Sequence, residues 1–229
     1  MIPSNLFITS TSTNVGKTFV ARALARALTI RNYSVFAIKP IETGCDPDPL
    51  DAVALGRACN KPALANAPGL YREKLPISPY AASLRTGSPP PDIQALTITI
   101  IELCRGADFT LVEGGGGLLA PVDRSRTMAD LALALRYPLL VVADDSLGVL
   151  SYTLTLAECA NQRGLNIAAF VLMQHESGKP YTGPGSNHHI LTERFSVPVI
   201  AFPHCSDDDD LLAAAADSSR LLRVLGIKS

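Results

Sequence analysis

Six short apolar runs recur along the chain, most of them followed by a longer stretch with helical spacing, and this alternation narrows the possible folds most. The runs are residues 5–9, 34–38, 109–113, 139–143, 168–173 and 199–202. Several are apolar on both faces, as strands of a parallel sheet covered by helices must be. Between them, residues 17–31 carry Val20, Leu24 and Leu28 at spacings of four, an apolar stripe on one helix face. Residues 93–105, 128–135, 150–163 and 211–225 repeat the pattern. Strand–helix alternation of this kind predicts a doubly wound, mostly parallel α/β sheet with helices on both faces and right-handed crossovers. Ligands of such sheets sit at the carboxyl ends of the strands.

Hydrophobic residues make up 47% and charged residues 18%, a balance that excludes disorder. Net charge is -1, and no basic patch is interleaved with aromatics, so no nucleic-acid partner is expected. No apolar run approaches the roughly 20 residues of a membrane span. The N-terminal stretch has no charged leader segment and runs straight into the first strand, so a cytoplasmic location is expected. The five cysteines, Cys45, Cys59, Cys104, Cys159 and Cys205, are scattered without a CxxC pair. They read as reduced thiols packed as small hydrophobes rather than as a zinc cage or a disulfide framework. With no internal repeat and no long linker, residues 1–229 read as one domain. The loop at 87–92 ends in Asp92 as a helix cap, and the glycine- and proline-rich stretch 177–186 reads as a mobile surface loop. The acidic run Asp207 to Asp210 reads as a solvated helix start, its carboxylates facing the positive end of the dipole.

Chemistry concentrates in a few places. Thr9-Ser10-Thr11-Ser12-Thr13-Asn14-Val15-Gly16-Lys17-Thr18 runs from strand through loop to helix. Successive backbone N–H groups there, backed by a helix N-terminus, form a concave anion site. Gly16 lets the backbone approach a phosphate, Lys17 reaches its oxygens and Thr18 offers a hydroxyl to magnesium. The usual pattern has glycine where Thr11 stands, so placement between strand and helix carries this reading. Glu113 ends an apolar run and precedes Gly114, Gly115, Gly116 and Gly117, which puts an acid with no evident partner at a strand's carboxyl end. A metal or nucleotide role is expected for it. Lys39, in Lys39-Pro40-Ile41-Glu42-Thr43-Gly44, is either a solvated lysine before a proline turn or a second cation facing Lys17 across a shared polyanion. Two lysines that close repel each other unless an anion lies between them.

The order TSTSTNVGKT, KPIETG, LDAVAL, LVEGGGG and DDSLGVL resembles the dethiobiotin synthetases. The resemblance runs in register through the first three quarters of the chain and thins in the last. It implies a P-loop ATPase fold and a cyclo-ligase that uses ATP and Mg2+ to join CO2 to 7,8-diaminononanoate, through a carbamate and a carbamic–phosphoric anhydride. Carried over residue by residue, Lys39 and Lys17 are catalytic. Asn14, Val15, Gly16, Lys17, Thr18 and Phe19 bind nucleotide, with Asp51, Glu113, Gly114, Gly115 and Gly116. Thr18, Asp51 and Glu113 are the metal ligands; from sequence alone Asp51 is equally a helix-starting residue. Thr13 and Thr43 bind the diamine, and Leu147 and Gly148 hold its carboxylate from the other subunit of a homodimer. Three places depart from the family: Ser10 where glycine is common, Asn14 for a glutamate, and the pair Met173-Gln174 where an asparagine often reads adenine. Phe202-Pro203-His204 could flank the base in its place, and His188 and His189 read as surface residues. The rival readings are another amidoligase or partitioning ATPase of this fold, or a nucleotide-dependent switch. Thr11 and Ser12 stand where partitioning ATPases carry an extra lysine, and the chain has no room for a glutaminase domain.

Overall fold

The computed structural model describes residues 4–174, 181–224 and 226–227; residues 177–180 of the expected mobile loop lie outside these. All six expected strands form one sheet. They are β1 (Asn5–Ser10), β2 (Val35–Ile38), β5 (Phe109–Glu113), β6 (Leu139–Asp144), β7 (Ile167–Met173) and β8 (Val199–Phe202), in the order β2-β5-β1-β6-β7-β8. Every pairing is parallel. Residue alternation splits the core into two layers. Leu6, Ile8, Leu140, Val142 and Val171 face α1 (Lys17–Ile30) and α8 (Asp209–Ser218), while Phe7, Val112, Leu139, Val141 and Phe170 face α4 (Ile93–Leu103), α5 (Met128–Leu135) and α6 (Val149–Gln162). Phe7 and Phe170 are wholly buried, and each such ring adds about 1.5–3 kcal/mol of transfer free energy to the fold.

In α1, Val20, Leu24 and Leu28 point into the core as the spacing requires. Alanines 21, 23, 25 and 27 of α1 and 213, 215 and 216 of α8 are buried in the same core layer, and their small side chains let the neighbouring elements close up. Asp92 caps α4 as expected, accepting from the amides of Gln94 and Ala95.

Four local features differ from the sequence reading. The expected helix 211–225 is two helices, α8 and α9 (Leu221–Val224), because Arg220 between them adopts a left-handed φ of 66°. The acidic run does more than start α8. Asp208 caps the helix, while Asp207 and Asp209 pair with Arg22 and Asp210 pairs with Arg26, tying α8 to α1. His188 is partly buried, with Nε2 3.0 Å from the Val199 carbonyl oxygen, rather than a surface residue. Finally, β3 (Ile41–Thr43) and β4 (Tyr71–Glu73) form a separate parallel pair near the carboxyl edge of the main sheet, with α2 (Leu50–Ala58) and α3 (Pro79–Thr86) close to it in the chain. The remaining elements are a 3-10 turn at Pro62–Asn66 and α7 (Asn187–Arg194). Among the described residues no helix is long and apolar enough to cross a membrane.

Candidate active site

Strand register assembles the site. Ile8 of β1 pairs with Glu113 of β5, and Ile38 of β2 pairs with Val112, so Lys39 leaves the sheet level with Glu113. The loop after β1 carries the phosphate motif to the same edge. Because β1 crosses over to β2 on one side while β5 crosses to β6 on the other, this edge is the point where chain direction diverges, the usual ligand position of a doubly wound sheet.

A cleft of about 700 Å³ opens there. Thr13, Asn14, Gly16, Lys17, Thr18 and Phe19 form one wall, and Lys39, Thr43, Asp51, Glu113, Gly115 and Gly116 the other. Asn14 and Gly16 take left-handed φ angles of 57° and 95°, which curl the loop before the helix N-terminus. Lys17 is buried at the bottom and donates to the Ser10 hydroxyl at 3.0 Å and the Ser12 carbonyl at 3.3 Å. Burial pushes its pKa down to about 8, with Lys39 adding to the shift and Glu113 and Asp51 opposing it. Ser10 therefore does more than alter the loop's shape. Its hydroxyl is the acceptor that steadies the loop lysine, a role the spacing of the motif does not reveal.

Lys39 is not a solvated lysine. Its side chain is 8% exposed, and its ammonium bridges Asp51 and Glu113, the latter at 2.7 Å. Burial alone would lower its pKa; the two carboxylates outweigh that and hold it above the ordinary lysine value. Glu113, 1% exposed, thus has the partner that was not evident in the sequence. Its Oε1 also accepts from the Thr18 hydroxyl at 2.9 Å, while Oε2 is buried with no hydrogen-bond partner.

The Glu113 and Asp51 carboxylates and the Thr18 hydroxyl are hard donors lining one cleft, and they suit a magnesium ion that takes its other ligands from phosphate and water. Among the described residues no group of three or more His, Cys, Asp or Glu side chains could cage a metal unaided. Magnesium fits this donor set, since it is usually held by one or two carboxylates plus substrate oxygens.

The other expected residues lie around this centre. Gly114 stays out of the wall; its amide donates to Ile8 and a side chain there would strike the Phe7 ring. Val15 lines an adjoining cavity of about 380 Å³ with Phe19, Met173, Pro203, His204 and Cys205. Met173 packs over Gly16, and the Gln174 amide is tied to Asp145, which also holds Asn187. Leu147 and Gly148 stand outside the cleft. Leu147 is fully exposed, and Gly148 starts α6 with a φ of 96°.

An all-parallel sheet with a phosphate loop after its first strand and paired lysines over carboxylates defines a P-loop ATPase-type domain. A chain of the MinC:MinD cell division protein complex of Aquifex aeolicus shares the fold with a TM-score of 0.61 at 13% identity, over 98% of this chain and 97% of that one. A family model described as an AAA domain matches residues 4–204. The ATP-dependent dethiobiotin synthetase BioD of Parafrankia sp. (strain EAN1pec) is 37% identical over 170 residues, 74% of this chain and 71% of that protein. Its counterpart in Caulobacter vibrioides (strain NA1000 / CB15N) is 36% identical over 175 residues, 74% of this chain and 80% of the other. The chain belongs to the ATP-dependent dethiobiotin synthetase family.

Proposed function

We propose that the protein joins CO2 to the two amines of 7,8-diaminononanoate, coupled to cleavage of ATP, to give dethiobiotin, ADP and phosphate. The observation that carries this reading is the convergence of Lys17, Lys39, Thr18, Asp51 and Glu113 on one cleft, in a chain of this family.

One amine adds to CO2, forming a C–N bond and losing a proton, and becomes a carbamate. A carbamate oxygen attacks the γ-phosphorus as the bond to the β–γ bridging oxygen breaks and ADP departs. The second amine then attacks the carbamoyl carbon of the mixed anhydride, forming a C–N bond and losing a proton; the C–O bond to the phosphoryl group breaks, phosphate leaves and the five-membered ring closes. Each step gathers or moves negative charge within a small volume. Lys17 and Lys39 are buried cations that line that volume, and catalysis is positioning and charge stabilisation in a site of low dielectric. Thr18, Asp51 and Glu113 would hold the magnesium ion that offsets the triphosphate charge. The amides from Asn14 to Thr18 cradle the phosphates, Phe19 borders the nucleoside side, and Gly115 and Gly116 leave backbone open beside the γ-position. Thr13 and Thr43 border the diamine.

Leu147 and Gly148 serve a second copy of the chain. A fully exposed leucine at the start of α6 is suited to cover by a partner, which supports a homodimer in which they reach the diamine's carboxylate.

The direct test incubates the protein with MgATP, bicarbonate and 7,8-diaminononanoate, following phosphate release and the dethiobiotin mass together. Both signals should depend on the diamine. Phosphate release indifferent to it would refute the reading.

A further inference from the structure

We infer that Glu42 is a positioning residue, which fixes the direction of the Asp51 carboxylate by holding the first turn of α2 from a strand outside that helix. The inference rests on the metal-site reading above and extends it to a residue that touches neither phosphate nor metal.

α2 begins after Pro49, which has no polar side chain to cap it, and the helix shows no side-chain cap of its own. Its open amides are met from β3 instead. Glu42 Oε1 accepts from the Asp51 amide at 2.9 Å and Oε2 from the Ala52 amide at 3.0 Å. Such first-turn donors have no partner within the helix, and an ionised acceptor strengthens the bond. Glu42 is 6% exposed and borders the cleft, and each of its oxygens is engaged by one of these amides.

The arrangement closes a ring. Lys39 leads through Pro40 and Ile41 to Glu42; Glu42 grips the backbone of Asp51; the Asp51 carboxylate returns to the Lys39 ammonium. β4 braces the strand side, where Arg72 opposite Glu42 donates to the Lys39 carbonyl at 3.0 Å. Asp51 itself is 40% exposed and borders solvent. Its aim is therefore set by the helix start more than by side-chain packing. The body of α2 is anchored separately through buried Leu55, Ala58 and Cys59, so loss of the Glu42 carboxylate loosens the first turn without undocking the helix. Partners that orient metal ligands without touching the metal are commonly worth about 10–100-fold in metal affinity.

The test titrates Mn2+ by electron paramagnetic resonance into the ADP-saturated protein, for the parent, Glu42→Ala, Glu42→Gln and, as reference, Asp51→Asn. Glu42→Ala should bind Mn2+ about 10-fold more weakly and need a similarly higher Mg2+ concentration for half-maximal phosphate release, with the KM for the diamine unchanged. Glu42→Gln keeps one acceptor oxygen and should fall between. If Asp51→Asn weakens Mn2+ binding but neither Glu42 variant does, the inference fails while the metal-site reading stands. A lowered melting temperature with unchanged Mn2+ affinity means a helix cap only and also overturns it. If Asp51→Asn is itself without effect, the metal-site reading falls and takes the inference with it.

Discussion

Replacing Lys39 with alanine should destabilise the fold as well as abolish turnover. Lys39 and Glu113 are 8% and 1% exposed, and they meet at 2.7 Å. Without the ammonium, the only direct partner of Glu113 among the described residues is the Thr18 hydroxyl on Oε1, and Oε2 already has none among them. Removing one member of a buried ion pair costs about 3–5 kcal/mol, because the remaining charge stays desolvated. Lys17 lies close enough to offset part of this, so the lower end of the range, about 3 kcal/mol, is expected. For a chain of this size that is a fall in Tm of about 6–12 °C. Urea unfolding of parent and variant at neutral pH reads the deficit directly, as a midpoint shift at constant slope. The double variant Lys39→Met, Glu113→Gln should recover most of the stability and none of the activity. Identical midpoints for Lys39→Ala and parent at neutral pH would mean the pair is worth no more than an exposed one, about 0–1 kcal/mol, and would refute the argument.

Two further outcomes follow from single residues. Lys17 has a pKa near 8, and a phosphate held against it favours the charged form. Nucleotide binding must then take up a proton above pH 8, with affinity complete below that value and falling up to about 10-fold per pH unit above it. Calorimetry of ADP binding in buffers of different ionisation enthalpy checks this, and Lys17→Arg should flatten the slope; a flat profile in the parent would sink it. Leu147→Asp should leave the monomer folded, because Leu147 is fully exposed, yet shift the protein from dimer to monomer in sedimentation velocity and lose turnover. A parent that sediments as a monomer would remove the homodimer from the proposal.

The main sheet was legible because its strands are buried on both faces and announce themselves as apolar runs; Phe7 and Ile8, adjacent in sequence, serve opposite core layers. The three-residue strands β3 and β4 were not, since so short a span shows no period. α2 and α3 start at Pro49 and Ser78 amid polar, proline-rich sequence that reads equally as loop. At the site, the motifs marked Lys17, Lys39 and Glu113 one at a time. What joins Lys39 to Glu113 is the β2–β5 register, a non-local fact that no window of sequence contains. The same holds for Arg22 and Asp209, which join two helices far apart in the chain. In sequence Ser10 stands out only as a missing glycine, and its service to Lys17 depends on where that lysine folds back.

The expectation that two neighbouring lysines need a polyanion between them is also altered by the structure, which supplies its own counter-charges. Lys39 is neutralised by Asp51 and Glu113, the same carboxylates proposed as metal ligands. A divalent cation held by them would therefore compete with the lysine for one pair of anions. At an effective dielectric of about 20, unit charges about 4 Å apart repel by about 4 kcal/mol, so such a cation would weaken the Lys39 contacts and favour turning the ammonium toward the phosphates. The competition has a direct readout in the absence of nucleotide. Lys39→Ala should bind Mn2+ more tightly than the parent by at least about 10-fold, a change of about 1.4 kcal/mol, and the added metal should restore part of the stability that the substitution removes. Equal or weaker Mn2+ binding by Lys39→Ala would show that the ammonium and the metal occupy different places, and that Lys39 faces the phosphates without first leaving its carboxylates.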